Sequence, residues 1–123
     1  MRIASVAEKF GVTIDTLRYY ERIGLIPPVR RQRGIRDYSE EDLGWIEFMT
    51  CMRAAGLSID SLIHYVALVR EGDQTRSERK GLLVKQRDAL SCRIADLQKT
   101  FERLNAKIVR YDETMAVREK KLR

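Results

Sequence analysis

The chain has 123 residues, of which 34% are charged and 7% aromatic, and it carries a formal net charge of +6. This length allows one domain and an appendage but excludes two independent hydrophobic cores. No apolar run approaches the ~20 residues that a membrane-spanning helix needs, and the amino terminus lacks a signal-peptide core. We therefore expect a soluble cytoplasmic protein with no membrane partner.

The positive charge is unevenly distributed. Residues 1–60 contain nine Lys/Arg and nine Asp/Glu, whereas residues 61–123 contain fifteen and nine. The overall pI is therefore weak support for nucleic-acid binding. The local cluster is more informative, because Arg30, Arg31, Arg33 and Arg36 place four positive charges within seven residues.

The first two predicted helices form a helix-turn-helix unit. Four apolar residues at the spacing i, i+3, i+4, i+7 predict an amphipathic helix: Ile3, Val6, Ala7 and Phe10. Gly11 closes this helix, and Thr13 is the expected N-cap of the next. Gly24 ends the second helix, since Pro27 and Pro28 forbid its continuation. A tight glycine-containing turn between two helices is typical of this motif.

A β wing and a third helix are predicted next. The arginine-rich loop around Gly34, from Val29 to Tyr38, favours a small β-ribbon. Ser39 and Asp42 resemble a capping box that starts a third helix, over residues 41–54. That helix is apolar nearly all round, which predicts burial between two layers.

A fourth helix follows Gly56. Ser58 is its expected N-cap, and Gly72 and Asp73 close it. Its predicted inward-facing residues are apolar: Ile59, Leu62, Ile63, Val66 and Val69.

The last predicted helix carries a heptad repeat. Thr75 and Glu78 form a second expected capping box, and beyond Gly81 there is neither glycine nor proline. An apolar seam is sustained for over four heptads, which is typical of a coiled coil: Leu83, Leu90, Ile94, Leu97, Phe101, Leu104, Ile108, Tyr111 and Met115. A single helix cannot bury this seam, so we expect a homodimer. The alternative, an intramolecular hairpin, lacks a turn signal in the middle of the helix.

Three motifs carry a family resemblance. They are R-Y-Y-E at residues 18–21, G-L-I-P-P at residues 24–28 and R-D-Y at residues 36–38. At this spacing the string resembles the signature of the MerR family of bacterial transcription regulators, and the resemblance extends over the whole chain. It implies an all-α fold with a small β wing. A winged helix-turn-helix DNA-binding domain at residues 1–72 would precede a long antiparallel coiled-coil dimerisation helix and short tail at residues 73–123.

The resemblance also implies a function. A homodimer would bind double-stranded DNA at a pseudo-palindromic promoter operator. It would activate transcription by distorting the promoter spacer, so that bacterial RNA polymerase on the same promoter meets realigned elements. We expect no enzyme activity. A thiol-dependent enzyme would need a base and an orienting group near its cysteine, and this sequence contains only one histidine.

The predicted DNA-binding residues fall into three groups. Polar residues near the amino end of the second helix are placed to meet base edges, with Arg18 the best candidate for a bidentate contact: Thr13, Asp15, Thr16 and Arg18. Loop arginines would supply non-specific attraction: Arg30, Arg31 and Arg33. The resemblance implies backbone contacts by Arg18 and by further residues: Tyr20, Arg36, Tyr38, Arg53 and Ser58. Tyr19 is an additional candidate for DNA binding. Alternatives stay open, since tyrosines at helical spacing often pack in cores, Arg36 could pair with Asp37, and loop arginines are commonly only solvated.

The candidate effector site is a single cysteine. Residues 47–59, E-F-M-T-C-M-R-A-A-G-L-S-I, resemble the thiol-based subgroup that responds to reactive aldehydes and to nitrosative or electrophile stress. This resemblance implies that Cys51 is the reactive residue. From residue types alone, a free cysteine in an apolar helix is more often a small, inert core residue.

Other effector sites are not predicted. No cysteine or histidine follows Cys92, which falls at an outward heptad position, and His64 stands alone, so neither a metal nor a cofactor is expected. The sequence ends at Arg123, where we expect no room for a drug-binding module. Two other functions remain open: a constitutive or protein-partnered regulator of the same kind without thiol sensing, and a coiled-coil adaptor protein.

Overall fold

The computed structural model describes all 123 residues. It contains six α-helices, one 3-10 helix over Asp73–Thr75 and one two-stranded antiparallel sheet. The helices and strands in chain order are α1 (Ile3–Phe10), α2 (Ile14–Arg22), β1 (Arg31–Gln32), β2 (Ile35–Arg36), α3 (Glu40–Ala55), α4 (Ile59–Glu71), α5 (Arg76–Val109) and α6 (Met115–Leu122). The predicted mainly helical fold with a small β wing is confirmed. No helix combines the length and apolar character that crossing a lipid bilayer requires.

Local side-chain caps mark where α2, α3 and α4 begin. The Thr13 hydroxyl accepts a 3.0 Å hydrogen bond from the Thr16 amide at the start of α2. Ser39 and Asp42 form the predicted capping box of α3, with donor–acceptor distances of 3.2 and 2.9 Å. The Ser58 hydroxyl caps α4 by accepting a hydrogen bond from the Ser61 amide. These contacts satisfy amide groups that have no partner within the helix.

The chain divides into two compact units, Met1–Gln86 and Arg87–Arg123. The core of the first unit is built by α1, α2, α3, α4 and the segment that follows α2. Its most completely buried side chains are apolar: Val6, Leu17, Leu25, Ile26, Ile46, Met49 and Leu62. Burial of such side chains contributes roughly 1.5–3 kcal/mol each.

Two predicted burial patterns are wrong in part. The third helix is not enclosed on every side, since Ile46 and Met49 are buried but Trp45 and Phe48 are half-buried and Cys51 is exposed. On α4 the side chain of Ile63 is 42% exposed, while Leu68, at 5%, is buried. A helix that packs on one side only leaves its remaining apolar residues at the surface.

The predicted capping box of Thr75 and Glu78 is wrong. Thr75 is buried at the end of the 3-10 helix, and its hydroxyl lies 2.6 Å from the Leu68 carbonyl oxygen and 2.8 Å from that of Gly72. The hydroxyl therefore satisfies carbonyl groups at the end of α4 instead of amides at the start of α5. Gly72 makes this turn possible with a backbone φ of +109°, which favours glycine.

The second unit contains most of α5 and all of α6. The predicted uninterrupted helix through Met115 is wrong, because α5 ends at Val109 and residues 110–114 form turns before α6 begins at Met115. The Thr114 hydroxyl donates to the Arg110 carbonyl at 3.0 Å within this segment. Tyr111, Asp112 and Thr114 are moderate or weak helix formers, which favours a break here even without glycine or proline.

Candidate nucleic-acid interface

The amino end of α2 presents a small polar surface. The hydroxyls of Thr13 and Thr16 lie 2.8 Å apart, and the Thr13 hydroxyl also caps the helix. Asp15 and Arg18 approach to 3.9 Å with side chains that are 95% and 54% exposed, so this ion pair is weak and solvated. The predicted base-reading residues therefore form one cluster at the surface, with Arg18 free to turn toward a ligand.

The wing is a β-hairpin in which each strand has two residues. Arg31 pairs with Arg36, and Gln32 pairs with Ile35. The connecting residues Arg33 and Gly34 have φ values of +53° and +79°, as in a type I′ turn, which matches the twist of the flanking strands. The predicted β-ribbon around Gly34 is confirmed.

The loop arginines of the wing are solvent-exposed. This group comprises Arg30, Arg31 and Arg33. None of the three forms an ion pair with a carboxylate in the structure. Their positive charge is therefore available to attract a polyanion, as predicted for non-specific phosphate attraction.

Arg36 is the exception among the wing arginines. Its Nε donates a 2.9 Å hydrogen bond to Glu21 Oε1, and the two side chains are only 20% and 17% exposed. This ion pair connects β2 to the last turn of α2. Asp37, the partner that the sequence suggested, instead lies 2.9 Å from the amino group of Met1. Sequence reasoning missed Glu21, although it is the final residue of the R-Y-Y-E motif.

The three predicted tyrosines occupy different environments. Tyr19 is 37% exposed, and the Arg22 guanidinium lies 5.3 Å from its ring centroid. Tyr20 and Tyr38 are 6% and 3% exposed, so their rings belong to the core. The Tyr38 hydroxyl is buried without a hydrogen-bond partner, and burial raises the pKa of this group. Contact of these tyrosines with DNA stays a prediction.

Arg53 and Ser58 lie on either side of the turn between α3 and α4. Arg53 Nη1 donates a 2.9 Å hydrogen bond to the Leu57 carbonyl, and Ser58 caps α4. Both residues are exposed at the surface. Each thus has a structural role that leaves it accessible, and its contact with DNA stays a prediction.

Cys51 is exposed on α3, which contradicts the alternative of an inert core cysteine. One turn earlier, the Phe48 ring lies 5.2 Å from that of Tyr65 and 6.1 Å from that of Trp45. Cys92, on α5, is exposed as well. No three His, Cys, Asp or Glu side chains converge on a position that could hold a metal ion.

The heptad seam of α5 is uncovered along most of its length. Leu83 and Leu90 are half-buried. Five further seam residues are between 57% and 63% exposed: Ile94, Leu97, Phe101, Leu104 and Ile108. Exposed apolar side chains that form a continuous row mark an association surface.

Comparison with known proteins agrees with this geometry. Residues 1–68 match the family described as "MerR HTH family regulatory protein", and residues 43–107 match the one described as "MerR, DNA binding". The HTH-type transcriptional regulator AdhR of Bacillus subtilis (strain 168) is 60% identical over 91 residues, which cover 73% of this chain and 65% of AdhR. The chain thus spans slightly less than two thirds of that relative. An uncharacterised HTH-type transcriptional regulator of Haemophilus influenzae is 32% identical over 93% of this chain and 85% of its own length.

Two solved structures extend the similarity to the fold. A putative MerR family transcriptional regulator from Listeria monocytogenes is 49% identical, with a TM-score of 0.80 over 99% of this chain and 93% of its own. HiNmlR, described as a MerR family regulator lacking the sensor domain and bound to promoter DNA, is 31% identical, with a TM-score of 0.86 over 95% of this chain and 89% of its own. On sequence and structure together, the chain belongs to the MerR family of helix-turn-helix regulatory proteins.

Proposed function

We propose that this chain is a transcription regulator that binds a pseudo-palindromic promoter operator as a homodimer and activates transcription by distorting the promoter spacer. The observation that carries this proposal is the presence, in one chain, of a winged helix-turn-helix and an uncovered apolar seam. Family membership makes DNA binding and transcription regulation the general function. We further propose that residues 1–72 are the DNA-binding domain and residues 73–123 the dimerisation helix and tail.

DNA would be engaged through two elements of the first unit. The amino end of α2, with Thr13, Asp15, Thr16 and Arg18, would enter the major groove and meet base edges. The wing arginines would contact phosphates, which fix the register of the protein but carry no sequence information. The similarity to HiNmlR, which was solved with promoter DNA, supports this assignment.

The homodimer follows from the seam of α5. The side chains of its five exposed residues between Ile94 and Ile108 are not covered by any other part of the second unit. A second copy presents the same row of side chains, so two such helices cover each other's seam. A two-fold dimer carries two winged helix-turn-helix domains. The operator must therefore contain two half-sites whose centres lie about 34 Å, or a multiple of that distance, apart.

Activation would use DNA deformation as the switch. Two DNA-binding domains that are coupled through one dimer would bend and untwist the operator, and this deformation of the DNA costs on the order of a few kcal/mol. Bacterial RNA polymerase would be the partner that reads the altered promoter. We propose a cytoplasmic location and no catalytic activity, since the relatives are described as transcription regulators.

We also propose that Cys51 senses reactive aldehydes or other thiol-modifying stress. The proposal is supported by the resemblance of residues 47–59 to the thiol-based subgroup, by 60% identity to AdhR, and by the exposure of the thiol. A regulator of the same kind with a protein partner in place of thiol sensing is the alternative. It is favoured if Cys51 proves unreactive.

Sedimentation and DNA binding together test the core of the proposal. A duplex with an inverted repeat is selected from a random-sequence pool, and its binding is followed by fluorescence anisotropy over a salt series. We expect a dimer at micromolar protein, and binding that weakens steeply with salt and prefers the complete repeat to a single half-site. A monomer at micromolar concentration with no preference for inverted repeats would contradict the proposal.

A further inference from the structure

The Glu21 carboxylate lies between the DNA-reading helix and the wing. Its Oε1 accepts a 2.9 Å hydrogen bond from Arg36 Nε, and both side chains are largely shielded from solvent. We propose that Glu21 is a positioning residue that holds Arg36 ready for a DNA phosphate and sets the distance between α2 and the wing. This inference rests on the proposed DNA-binding function.

The hydrogen bonds of Arg36 support this role. A guanidinium has five N–H donors, and the contact with Glu21 uses the one on Nε. No other hydrogen bond of the Arg36 side chain is formed in the structure, so the four donors on its two Nη atoms remain for a ligand. A phosphate takes two parallel N–H donors of a guanidinium, a geometry that the Nη edge supplies.

The same contact fixes the whole wing. Arg36 pairs with Arg31 across the hairpin, so a constraint on Arg36 is passed to β1 through the strand pairing. Glu21 lies in the last turn of α2, three residues after Arg18 and therefore on the same side of the helix. One ion pair thereby relates the predicted base-reading residue Arg18 to the backbone-contacting hairpin. An arginine that is already ordered loses less conformational freedom when it binds.

The sign of the effect separates positioning from simple electrostatics. A carboxylate beside DNA repels phosphates, so its removal should ordinarily strengthen binding. If Glu21 positions Arg36, its removal should weaken binding instead. The two effects oppose each other, which makes the direction of the change informative.

The experiment is a double-mutant cycle on operator binding. Anisotropy with the selected inverted-repeat duplex compares the wild-type chain with Glu21→Ala, Arg36→Ala and the double variant. We expect Glu21→Ala to weaken binding about tenfold, the size of one charge-assisted contact. In the Arg36→Ala background the same substitution should cause no weakening, since there is no arginine left to position. Arg36→Ala alone should weaken binding to all sequences similarly and lower the salt slope by about one unit.

Two further variants separate positioning from loss of structure. Glu21→Gln keeps an acceptor oxygen without the charge, so we expect a smaller weakening, about threefold. Glu8→Ala removes an exposed carboxylate of α1 that has no ion-pair partner, and binding should be unchanged or stronger. Thermal melts by circular dichroism confirm that each variant is folded at the assay temperature, and Glu21→Gln stands in for Glu21→Ala if the latter is not.

The possible outcomes are distinct. Positioning is overturned if Glu21→Ala and Glu21→Gln bind as tightly as the wild-type chain or more tightly. It is equally overturned if Glu21→Ala weakens binding by the same factor with and without Arg36, because that pattern reports damage to the fold. A wild-type chain that shows no preference for the inverted repeat over a scrambled duplex contradicts the proposed function itself, and the positioning role with it.

Discussion

The hydroxyl of Ser58 accepts a 3.1 Å hydrogen bond from the Ser61 amide and donates a 3.0 Å hydrogen bond to the Ser61 hydroxyl. The first contact satisfies an amide at the start of α4 that no helical carbonyl can reach. Ser58 is also exposed, and it is one of the residues predicted to contact the DNA backbone. Its structural role and its predicted contact with DNA can be tested separately by the choice of substitution.

We expect Ser58→Ala to lower the free energy of unfolding by about 1 kcal/mol, because it removes the cap. Asn and Asp are both good N-caps, so Ser58→Asn and Ser58→Asp should keep most of that stability. If Ser58 lies near a phosphate, only the Asp variant should weaken operator binding markedly, by electrostatic repulsion. Urea unfolding at fixed protein concentration and anisotropy measure the two effects. Equal operator affinity for the Asn and Asp variants would place Ser58 away from the DNA.

The starts of α2, α3 and α4 were predictable because their signals are local. The contacts of Thr13 with Thr16 and of Ser39 with Asp42 each join groups three residues apart, so the sequence order almost fixes the geometry. The end of α1 at Gly11, with φ of +65°, is likewise set by a local signal. Patterns of this kind depend little on the rest of the fold.

The missed features depend on distant or competing partners. Glu21 and Arg36 are 15 residues apart, and only the packing of the wing against α2 brings them together. Thr75 could cap the helix that follows or bond to carbonyls of the helix before it, and the turn at Gly72 decides between them. Of the tyrosines in the R-Y-Y-E motif, Tyr20 is buried and Tyr19 is not, a difference set by which side of α2 faces the core.

Tyr38 should make the protein sensitive to alkaline pH. Burial raises the pKa of its hydroxyl above the ordinary 10.0, so the folded chain retains a proton that the unfolded chain loses. Below pH 10 the hydroxyl is protonated in both the folded and the unfolded chain, so it causes no change of stability with pH there. The free energy of unfolding falls as the pH rises from 10 through the folded-state pKa. Tyr38→Phe should remove part of this loss, and at pH 8 it should leave stability unchanged or raise it by up to about 1 kcal/mol, because it removes an unpaired buried hydroxyl.

Urea unfolding between pH 8 and pH 11 measures the effect of Tyr38→Phe. Part of the alkaline loss should persist in the variant, because the hydrogen bond with Glu119 raises the pKa of the Tyr111 hydroxyl as well. Tyr65→Phe is the control, since it removes the hydroxyl of a tyrosine that is only half-buried, whereas Tyr38 is buried. An alkaline loss in Tyr38→Phe that equals that of the wild-type chain would contradict the prediction.

Phe101 should be required for dimerisation. Its side chain is 63% exposed in one protomer and lies at the centre of the seam. Phe101→Glu would replace an apolar contact with carboxylates buried in the interface, so we expect the dimer dissociation constant to rise at least about a hundredfold. Sedimentation equilibrium measures this constant, and circular dichroism checks that the helices remain. Lys99→Glu introduces a carboxylate at an outward heptad position, and although it changes the charge by two units it should leave the dimer intact. A Phe101→Glu chain that remains dimeric at low micromolar concentration would rule out the seam as the interface.

Cys51 should be needed for the transcriptional response to reactive aldehydes but not for DNA binding. Its thiol is exposed on α3, where an electrophile can reach it, and it is not among the predicted DNA-contacting residues. Cys51→Ala removes the nucleophile and little else, because an exposed side chain of this size contributes little to packing. We therefore expect an operator affinity within about twofold of the wild-type value, which is a change in binding free energy of less than about 1 kcal/mol. We also expect that this variant gives no transcriptional response to formaldehyde or methylglyoxal.

The second cysteine provides the matched control for this experiment. Cys92 is also exposed, but it lies on α5 at an outward heptad position. Cys92→Ser should therefore keep the full response, and mass spectrometry of the aldehyde-treated wild-type chain should find the adduct on Cys51. In vitro transcription from a promoter with the selected operator reads out activation without cellular detoxification. A Cys51→Ala chain that still responds fully, or a response lost only in Cys92→Ser, would contradict sensing at Cys51. Because both variants leave α2 and the wing unchanged, either result would leave the DNA-binding proposal standing.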